Sequence, residues 1–105
     1  MRRGDVFELR PPRGTGHEQR GRRYGVVVQS DALLPSSVVL VAPTSRSVRS
    51  TSYRPEIQVV DHTTKVMVEQ SAAFDSSRLG KLVGHATAQE MWGIDEATLT
   101  VLGLS

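Results

Sequence analysis

The chain has 105 residues, a length that predicts a single domain spanning residues 1–105. It contains no cysteine, which excludes disulfides, thiol catalysis and thiolate metal sites. The first residues lack the apolar stretch of a signal peptide, and no segment reaches the ~18 apolar residues of a membrane span, so we expect a cytoplasmic protein.

The net charge of +2 conceals an asymmetry between the two halves of the chain. Residues 1–54 carry ten basic and four acidic side chains, and the remaining residues carry three basic and seven acidic ones. All ten basic residues of the first half are arginines, whose planar guanidinium suits bidentate phosphate contacts. High genomic GC content could explain the preference for arginine over lysine, but it does not explain the clustering, which indicates an anionic partner.

Short strands rich in β-branched residues are predicted in the first two thirds of the chain. They cover Val6–Leu9, Tyr24–Ser30, Val38–Ala42, Glu56–Val60 and Lys65–Glu69. The second and third lack clean alternation and are interpreted as central strands buried on both faces, and Pro43 is expected to end the third. Long loops are expected over Arg10–Arg22 and Thr44–Ser52, and a turn over Asp61–Thr64.

The last third of the chain changes to helical spacing. Asp75 resembles an N-cap of a short helical turn that runs through Leu82. Thr87–Glu90 is a capping box that opens a terminal amphipathic helix, with Gly103 as its stop. The order of elements predicts a mainly β protein, a small and strongly curved antiparallel sheet or barrel with a helix packed against it.

The segment Gly16–Arg23 is the first candidate site. It places the guanidinium groups of three arginines, Arg20, Arg22 and Arg23, beside His17 and Glu18. The arginines could hold a phosphodiester while His17 or Glu18 exchanges protons. The alternative is a solvated loop whose arginines pair with the acidic half of the chain.

Thr44 follows the third predicted strand directly. Its hydroxyl could bond a phosphate oxygen next to Arg23, provided that the two strand ends are adjacent. Thr44, Ser45 and Ser47 could equally be turn formers, which is the commoner role of such residues. The spacing leaves both readings open.

Glu69 would share one strand face with Lys65 and Met67, and would point to solvent or into a groove. His62 and His85 have no metal-ligand spacing and are interpreted as surface residues. We therefore expect neither a metal nor a cofactor.

Five segments, in this order and spacing, together resemble the MazF/PemK/Kid family of toxin endoribonucleases from toxin–antitoxin pairs. They are Arg3–Phe7, the GHEQ run Gly16–Gln19 with Gly21–Arg23, the strand end Val41–Ser45, Val68–Gln70, and Arg78–Leu79 with Gly84 and the terminal helix. The resemblance spans nearly the whole chain. It implies an SH3-like barrel of the MazF/CcdB type with a C-terminal amphipathic helix.

The resemblance also implies an activity. Such proteins form homodimers whose interface groove holds single-stranded RNA, which is cut without a metal. The 2′-hydroxyl attacks the adjacent phosphate and leaves a 2′,3′-cyclic phosphate and a 5′-hydroxyl. A cognate MazE-like antitoxin, through an acidic or apolar peptide, would fill the same groove.

Residue roles follow from the same resemblance. Arg23 matches the arginine that stabilises the phosphorane, and Thr44 the threonine that bonds a phosphate oxygen. Glu18 matches a loop position that shapes the site and is counted as catalytic, and Glu69 falls where one branch of the family places a catalytic acid. The expected RNA-binding residues are His17, Gln19, Arg20, Arg22, Ser45, Arg46, Arg49 and Gln70.

The chain departs from the family pattern at three places. Tyr24 stands where most members have proline, and Met67 where the branch with the acid has an arginine. The run Ala72–Asp75 replaces the usual Arg-Thr-Ile-Asp. If those arginines matter most, the enzyme would be slow, altered in specificity or inactive, with Arg20 and Arg22 as partial substitutes.

Two other functions remain open at this point. One is a CcdB-like, non-enzymatic toxin that binds a protein target such as DNA gyrase through its terminal helix. The other is a degenerate relative that binds RNA or sequesters antitoxin. The GHEQ and Pro43–Ser45 segments favour the nuclease, because a CcdB-like inhibitor has no need of them.

Overall fold

The computed structural model describes residues 1–11 and 23–104. Within them the chain forms antiparallel strands, three short 3₁₀ turns and one α-helix. The elements are β1 (Asp5–Leu9), β2 (Arg23–Val27), β3 (Val38–Ser45), β4 (Glu56–Val59), β5 (His62–Val66), β6 (Ala72–Asp75), β7 (Leu79–His85) and α1 (Ala88–Leu102), with 3₁₀ turns at Asp31–Leu33, Val68–Gln70 and Ser76–Arg78.

The strand order is β4-β5-β3-β2-β1-β7, and β6 also pairs with β3. One edge of β3 pairs with β2, whereas its other edge is shared by two strands. Residues 38–41 pair with β6, and Thr44 and Ser45 pair with β5. The sheet therefore divides along β3, between the part that pairs with β6 and the part that pairs with β5.

Pro43 lies inside β3, so the prediction that it ends the strand is wrong. Val28 donates its N–H to Leu40 across the β2–β3 pair, and the alternation of antiparallel pairs makes Gly25–Pro43 a pair without hydrogen bonds. The Pro43 carbonyl instead accepts the N–H of Met67 on the other edge. The backbone nitrogen of Pro43 thus points away from β2. The absence of an N–H on this nitrogen therefore costs no hydrogen bond to β2.

The core lies on both faces of the sheet. On β2, Val26 belongs to the larger cluster and its neighbour Val27 to the smaller one, as expected for consecutive strand residues. The larger cluster consists of Val6, Val26, Ala42, Ile57, Val59, Val66, Val68, Ile94 and Ala97. The prediction of strands buried on both faces is confirmed for β2 and the middle of β3, but Val38 and Leu40 at the start of β3 are exposed.

The terminal helix begins and ends as predicted. Thr87 and Glu90 form the reciprocal capping box, and Gly103 adopts the left-handed conformation, at φ 71°, as the C-cap. Ile94 of this helix packs into the larger cluster, but its Leu99 and Leu102 remain exposed. In the part of the chain that the structure covers, no helix has both the length and the apolarity to cross a bilayer.

The fifth strand is shifted from its predicted position. Val59 pairs with His62, so the turn consists of Val60 and Asp61 and β5 starts three residues earlier than expected. As a result Glu69 lies in the 3₁₀ turn Val68–Gln70, not on a strand face with Met67. The shift arises because a two-residue turn closes the hairpin, and this turn holds Val60 at φ 58°.

The prediction of a helical turn from Asp75 to Leu82 is wrong beyond its first residues. Asp75 does accept the N–H of Ser77, but the turn that it caps ends at Arg78. The same hydrogen bond lowers the pKa of Asp75 below its usual value. Residues 79–85 form β7 because they pair with β1, a contact distant in sequence that local spacing does not reveal.

The strain at Val60 predicts a stabilising substitution. A β-branched side chain at positive φ costs on the order of 1–2 kcal/mol, whereas asparagine tolerates this conformation. We expect Val60→Asn to raise the free energy of unfolding by about 1 kcal/mol and Tm by roughly 4 °C, measured by calorimetry. Val38→Asn, at an exposed valine without positive φ, is the control. An unchanged or lower Tm for Val60→Asn would contradict the strain.

Candidate functional site

The ends of β2 and β3 meet at one edge of the sheet. Arg23 is the first residue of β2, and Thr44 and Ser45 are the last residues of β3. Because Gly25 pairs with Pro43 in antiparallel register, the residues beyond this pair lie side by side. The two strand ends are therefore adjacent, which was the condition for Thr44 to act beside Arg23.

Arg23 and Thr44 line a cleft of about 530 Å³, called here the Arg23–Thr44 cleft. Thr44 is buried within it, whereas Arg23 is exposed at its rim. The remaining lining residues are Ser45, Arg46, Ser47, Val48, Met67 and Gln70. Guanidinium, hydroxyl and amide groups together form a surface that suits a phosphate.

No salt bridge neutralises the guanidinium groups of the cleft among the residues that the structure describes. The arginines that form ion pairs within these residues are Arg2, Arg3 and Arg54, but not Arg23 or Arg46. Two positive charges without an ion-pair partner in residues 1–11 and 23–104 lie beside the buried Thr44 hydroxyl and create a positive potential at the mouth of the cleft. An anion is the ligand that this arrangement attracts.

Met67, one of the three departures from the family pattern, contributes an apolar part of the cleft wall. It is buried, and its N–H is held by the Pro43 carbonyl. The loss of an arginine at this position thus leaves the cleft with a side chain that can pack against a ligand but cannot donate a proton.

A smaller pocket of about 220 Å³ adjoins the cleft and shares Thr44, Ser45 and Arg46 with it. Its other lining residues are Tyr24, His62 and Thr64. The interpretation of His62 as a surface residue is wrong, because its side chain is only 18% exposed and faces this pocket. Sequence reasoning did not assign Tyr24 or His62 to the candidate site.

Glu69 does not line the cleft. Its Oε2 accepts hydrogen bonds from Nε and Nη2 of Arg54, at 2.9 and 2.7 Å. Its Oε1 is buried and has no partner among the described residues. The hydrogen bond to Glu69 raises the pKa of Arg54 above its usual value. Glu69 is therefore held by an ion pair, and its role as a general base stays a prediction.

Arg54 connects two segments that border the cleft. Besides binding Glu69 in the turn Val68–Gln70, it donates from Nη1 to the carbonyl of Arg49. The pair thus ties the loop over residues 46–55 to the turn that carries Gln70. Sequence reasoning missed Arg54 because its partner lies 15 residues away, beyond the reach of local spacing.

The other predicted residues divide into two groups. Arg49 is exposed and is not among the residues that line the cleft. His17, Glu18, Gln19, Arg20 and Arg22 lie outside the described residues. The structure thus brings together Arg23, Thr44, Ser45, Arg46 and Gln70.

The chain matches a protein family over residues 2–102, namely the PemK-like, MazF-like toxins of type II toxin–antitoxin systems. It is also 39% identical, over 90 residues, to the Mycobacterium tuberculosis (strain ATCC 25618 / H37Rv) protein named "Putative toxin Rv3098A/RVBD_3098A". The aligned region covers 85% of this chain and 84% of that protein.

Solved structures share the fold. An endoribonuclease in complex with its cognate antitoxin from a mycobacterial species superposes with a TM-score of 0.82 at 20% identity, covering 100% of this chain and 97% of that one. The Mycobacterium tuberculosis toxin MazF-mt6 gives 0.79 at 15% identity, with coverages of 96% and 98%. MazF in the MazE–MazF complex of Deinococcus radiodurans gives 0.75 at 20% identity, with coverages of 100% and 97%.

The curled antiparallel half-barrel with one C-terminal helix is thus the fold of MazF structures, which confirms the predicted fold class. The family match and the curated relative both cover most of the chain. The chain therefore belongs to the PemK-like, MazF-like family of type II toxin–antitoxin toxins.

Proposed function

We propose that this toxin is a sequence-selective endoribonuclease that cuts single-stranded RNA without a metal. In this reaction the 2′-hydroxyl attacks the adjacent phosphate and leaves a 2′,3′-cyclic phosphate and a 5′-hydroxyl. The observation that carries the proposal is the Arg23–Thr44 cleft, in which arginines without an ion-pair partner among the described residues adjoin the buried Thr44 hydroxyl. One structure that shares the fold is named an endoribonuclease, which supports the same activity.

The reaction places negative charge on the phosphorane oxygens as the 2′-oxygen bonds to phosphorus. Arg23, at the rim of the cleft, would stabilise this charge, and the Thr44 hydroxyl would donate to one nonbridging oxygen. Because Thr44 is buried in a strand, its hydroxyl would hold the phosphate in one orientation. Ser45, Arg46 and Gln70 would bind the flanking RNA.

The proton transfers require a base for the 2′-hydroxyl and an acid for the 5′-oxygen. Glu18 is the first candidate base, with His17 and Gln19 beside it in sequence and Arg20 and Arg22 as further phosphate contacts. Glu69 is the second candidate base. Its carboxylate is bound by Arg54, so it would have to exchange that ion pair for the substrate.

A homodimer and a MazE-like antitoxin, acting in the cytoplasm, complete the proposal. An apolar groove of about 230 Å³ between β3 and α1 supports a protein partner, because Leu40, Val101 and Leu102 are exposed around it. The mycobacterial structure that shares the fold is named as a complex with its cognate antitoxin, and the Deinococcus structure is named MazE-MazF. We assign the groove to a second copy of this chain and the Arg23–Thr44 cleft to the antitoxin or RNA.

The nuclease is tested by incubating the protein with a long single-stranded RNA in EDTA and mapping the ends. We expect cleavage with 2′,3′-cyclic phosphate ends, reduced roughly 10²–10³-fold in Arg23→Ala and in Thr44→Ala, because each removes a donor to the developing charge. Arg2→Ala and Thr100→Ala remove the same groups outside the cleft and should leave the rate unchanged.

Two outcomes would contradict the nuclease. The first is the absence of cleavage at any concentration of a folded wild-type protein. The second is a rate that depends on added divalent cations. RNA binding without cleavage would indicate the degenerate relative, and inhibition of DNA gyrase would indicate the CcdB-like alternative.

Glu69 could act as the ion-pair partner of Arg54 or as a proton-transfer group, and variants of the two residues distinguish these roles. If Glu69 acts through the ion pair, Glu69→Gln and Arg54→Ala should lower Tm and reduce cleavage to a similar extent, since each breaks the same pair. We expect this result, measured by calorimetry and by RNA cleavage rates. Loss of cleavage in Glu69→Gln, with cleavage retained in Arg54→Ala, would instead assign proton transfer to Glu69.

A further inference from the structure

The smaller pocket beside the cleft is built from three adjacent strands. Tyr24 comes from β2, Thr44 and Ser45 from β3, and His62 and Thr64 from β5. It shares Thr44, Ser45 and Arg46 with the Arg23–Thr44 cleft, so a group bound in it lies directly beside a phosphate bound at Thr44. This pocket is called here the Tyr24–His62 pocket.

Two aromatic rings form one side of the pocket. The ring centroids of Tyr24 and His62 are 5.8 Å apart and their planes are inclined by 46°. Because the rings contact one another, a planar ligand would stack on the pair and not between its members. Hydroxyls of Thr44, Ser45 and Thr64 and the Arg46 guanidinium supply donors and acceptors around this aromatic surface.

The aromatic surface is held in place before any ligand binds. Tyr24 packs against the larger core cluster, next to strand residues that are fully buried. His62 is the first residue of β5 and pairs with Val59, and its Nδ1 lies 3.4 Å from the carboxylate of Asp61. A rigid aromatic surface loses little conformational entropy on binding, which favours affinity.

The backbone strain of the molecule is located at the same hairpin. Val60, at φ 58°, is the one non-glycine residue at positive φ within the described ranges 1–11 and 23–104. Strained residues persist where the surrounding structure enforces them, and they cluster at binding sites. Here the strained turn fixes the register that brings His62 into the pocket.

We propose that the Tyr24–His62 pocket is a nucleobase subsite that reads the nucleotide next to the scissile phosphate. The proposal rests on the ribonuclease function, and it names the residues that give that function its base preference. A base stacks on the Tyr24–His62 pair, while Thr64 and Arg46 contact its edge. Tyr24, the replacement for the usual proline, is then a determinant of specificity and not a defect.

The test uses equilibrium binding, so that it does not depend on cleavage. The probes are fluorescent 2′-O-methyl oligonucleotides of A, C or U, which lack the nucleophilic hydroxyl, and an abasic oligomer of equal length. Fluorescence anisotropy gives Kd for each probe, and the Kd ratio of the abasic oligomer to the best homopolymer isolates the contribution of the bases from that of the phosphates.

We expect the wild-type ratio to be about 10 or more, and His62→Ala to reduce it about ten-fold while Kd for the abasic oligomer stays constant. His62→Phe and Tyr24→Phe keep the rings and should keep most of the ratio. Trp92→Ala removes an aromatic ring that is 75% exposed on α1 and does not line the pocket, and it should leave the ratio unchanged. Thermal unfolding of each variant checks that it is folded.

The proposal is overturned if the wild-type ratio is near 1, or if His62→Ala leaves the ratio unchanged or weakens all probes equally. Tyr24→Leu tests the other ring through the same Kd ratio, since leucine preserves apolar packing against the core but does not stack on a base. The ribonuclease function fails separately, when unmodified RNA is not cut although base-dependent binding is intact.

Discussion

The fold depends on the pairing of β3 along both of its edges. On one side it pairs with β2, and on the other it pairs first with β6 and then with β5. Pro43 is tolerated in the middle of this strand because it stands opposite Gly25 without a hydrogen bond between them. The point at which β3 changes its partner is also the point at which its last residues, Thr44 and Ser45, reach the edge that carries the Arg23–Thr44 cleft.

The proposed site follows from this arrangement. Arg23 and Thr44 are brought together by the β2–β3 register, and the aromatic pair Tyr24–His62 by the position of β5 on the other edge of β3. The ion pair between Arg54 and Glu69 fixes the loop that borders the cleft. Rigid strands thus carry the groups that we propose to bind phosphate, and a loop held by an ion pair borders them, which is the arrangement that precise positioning requires.

Local signals in the sequence predicted the elements whose structure is local. The capping box at Thr87 and the cap at Gly103 depend on residues within one turn of each other, and both were found at the predicted positions. To predict that Arg23 and Thr44 lie side by side, it was enough to locate two strand ends and to notice the family resemblance. These parts of the fold and of the site could be predicted from the sequence.

The features that sequence reasoning missed depend on contacts between distant segments. Strand β7 exists because it pairs with β1, about 75 residues away in sequence, a separation that no local period encodes. Glu69 was predicted to lie on a strand because the two-residue turn at Val60, which makes β5 begin and end earlier, was not foreseen. The environment of His62 arises only when the β4–β5 hairpin lies beside β3 and approaches Tyr24, so its ring could not be assigned to a pocket from spacing alone.

We propose that the scissile phosphate of single-stranded RNA binds in the Arg23–Thr44 cleft. A crystal structure of the protein with an oligonucleotide that carries a 2′-deoxy substitution at the cleavage site would locate this phosphate. We expect this phosphate to lie within hydrogen-bonding distance of the Arg23 guanidinium and the Thr44 hydroxyl, with the neighbouring base against Tyr24 and His62. An RNA backbone that passes over α1 or β7 and leaves the cleft empty would contradict it.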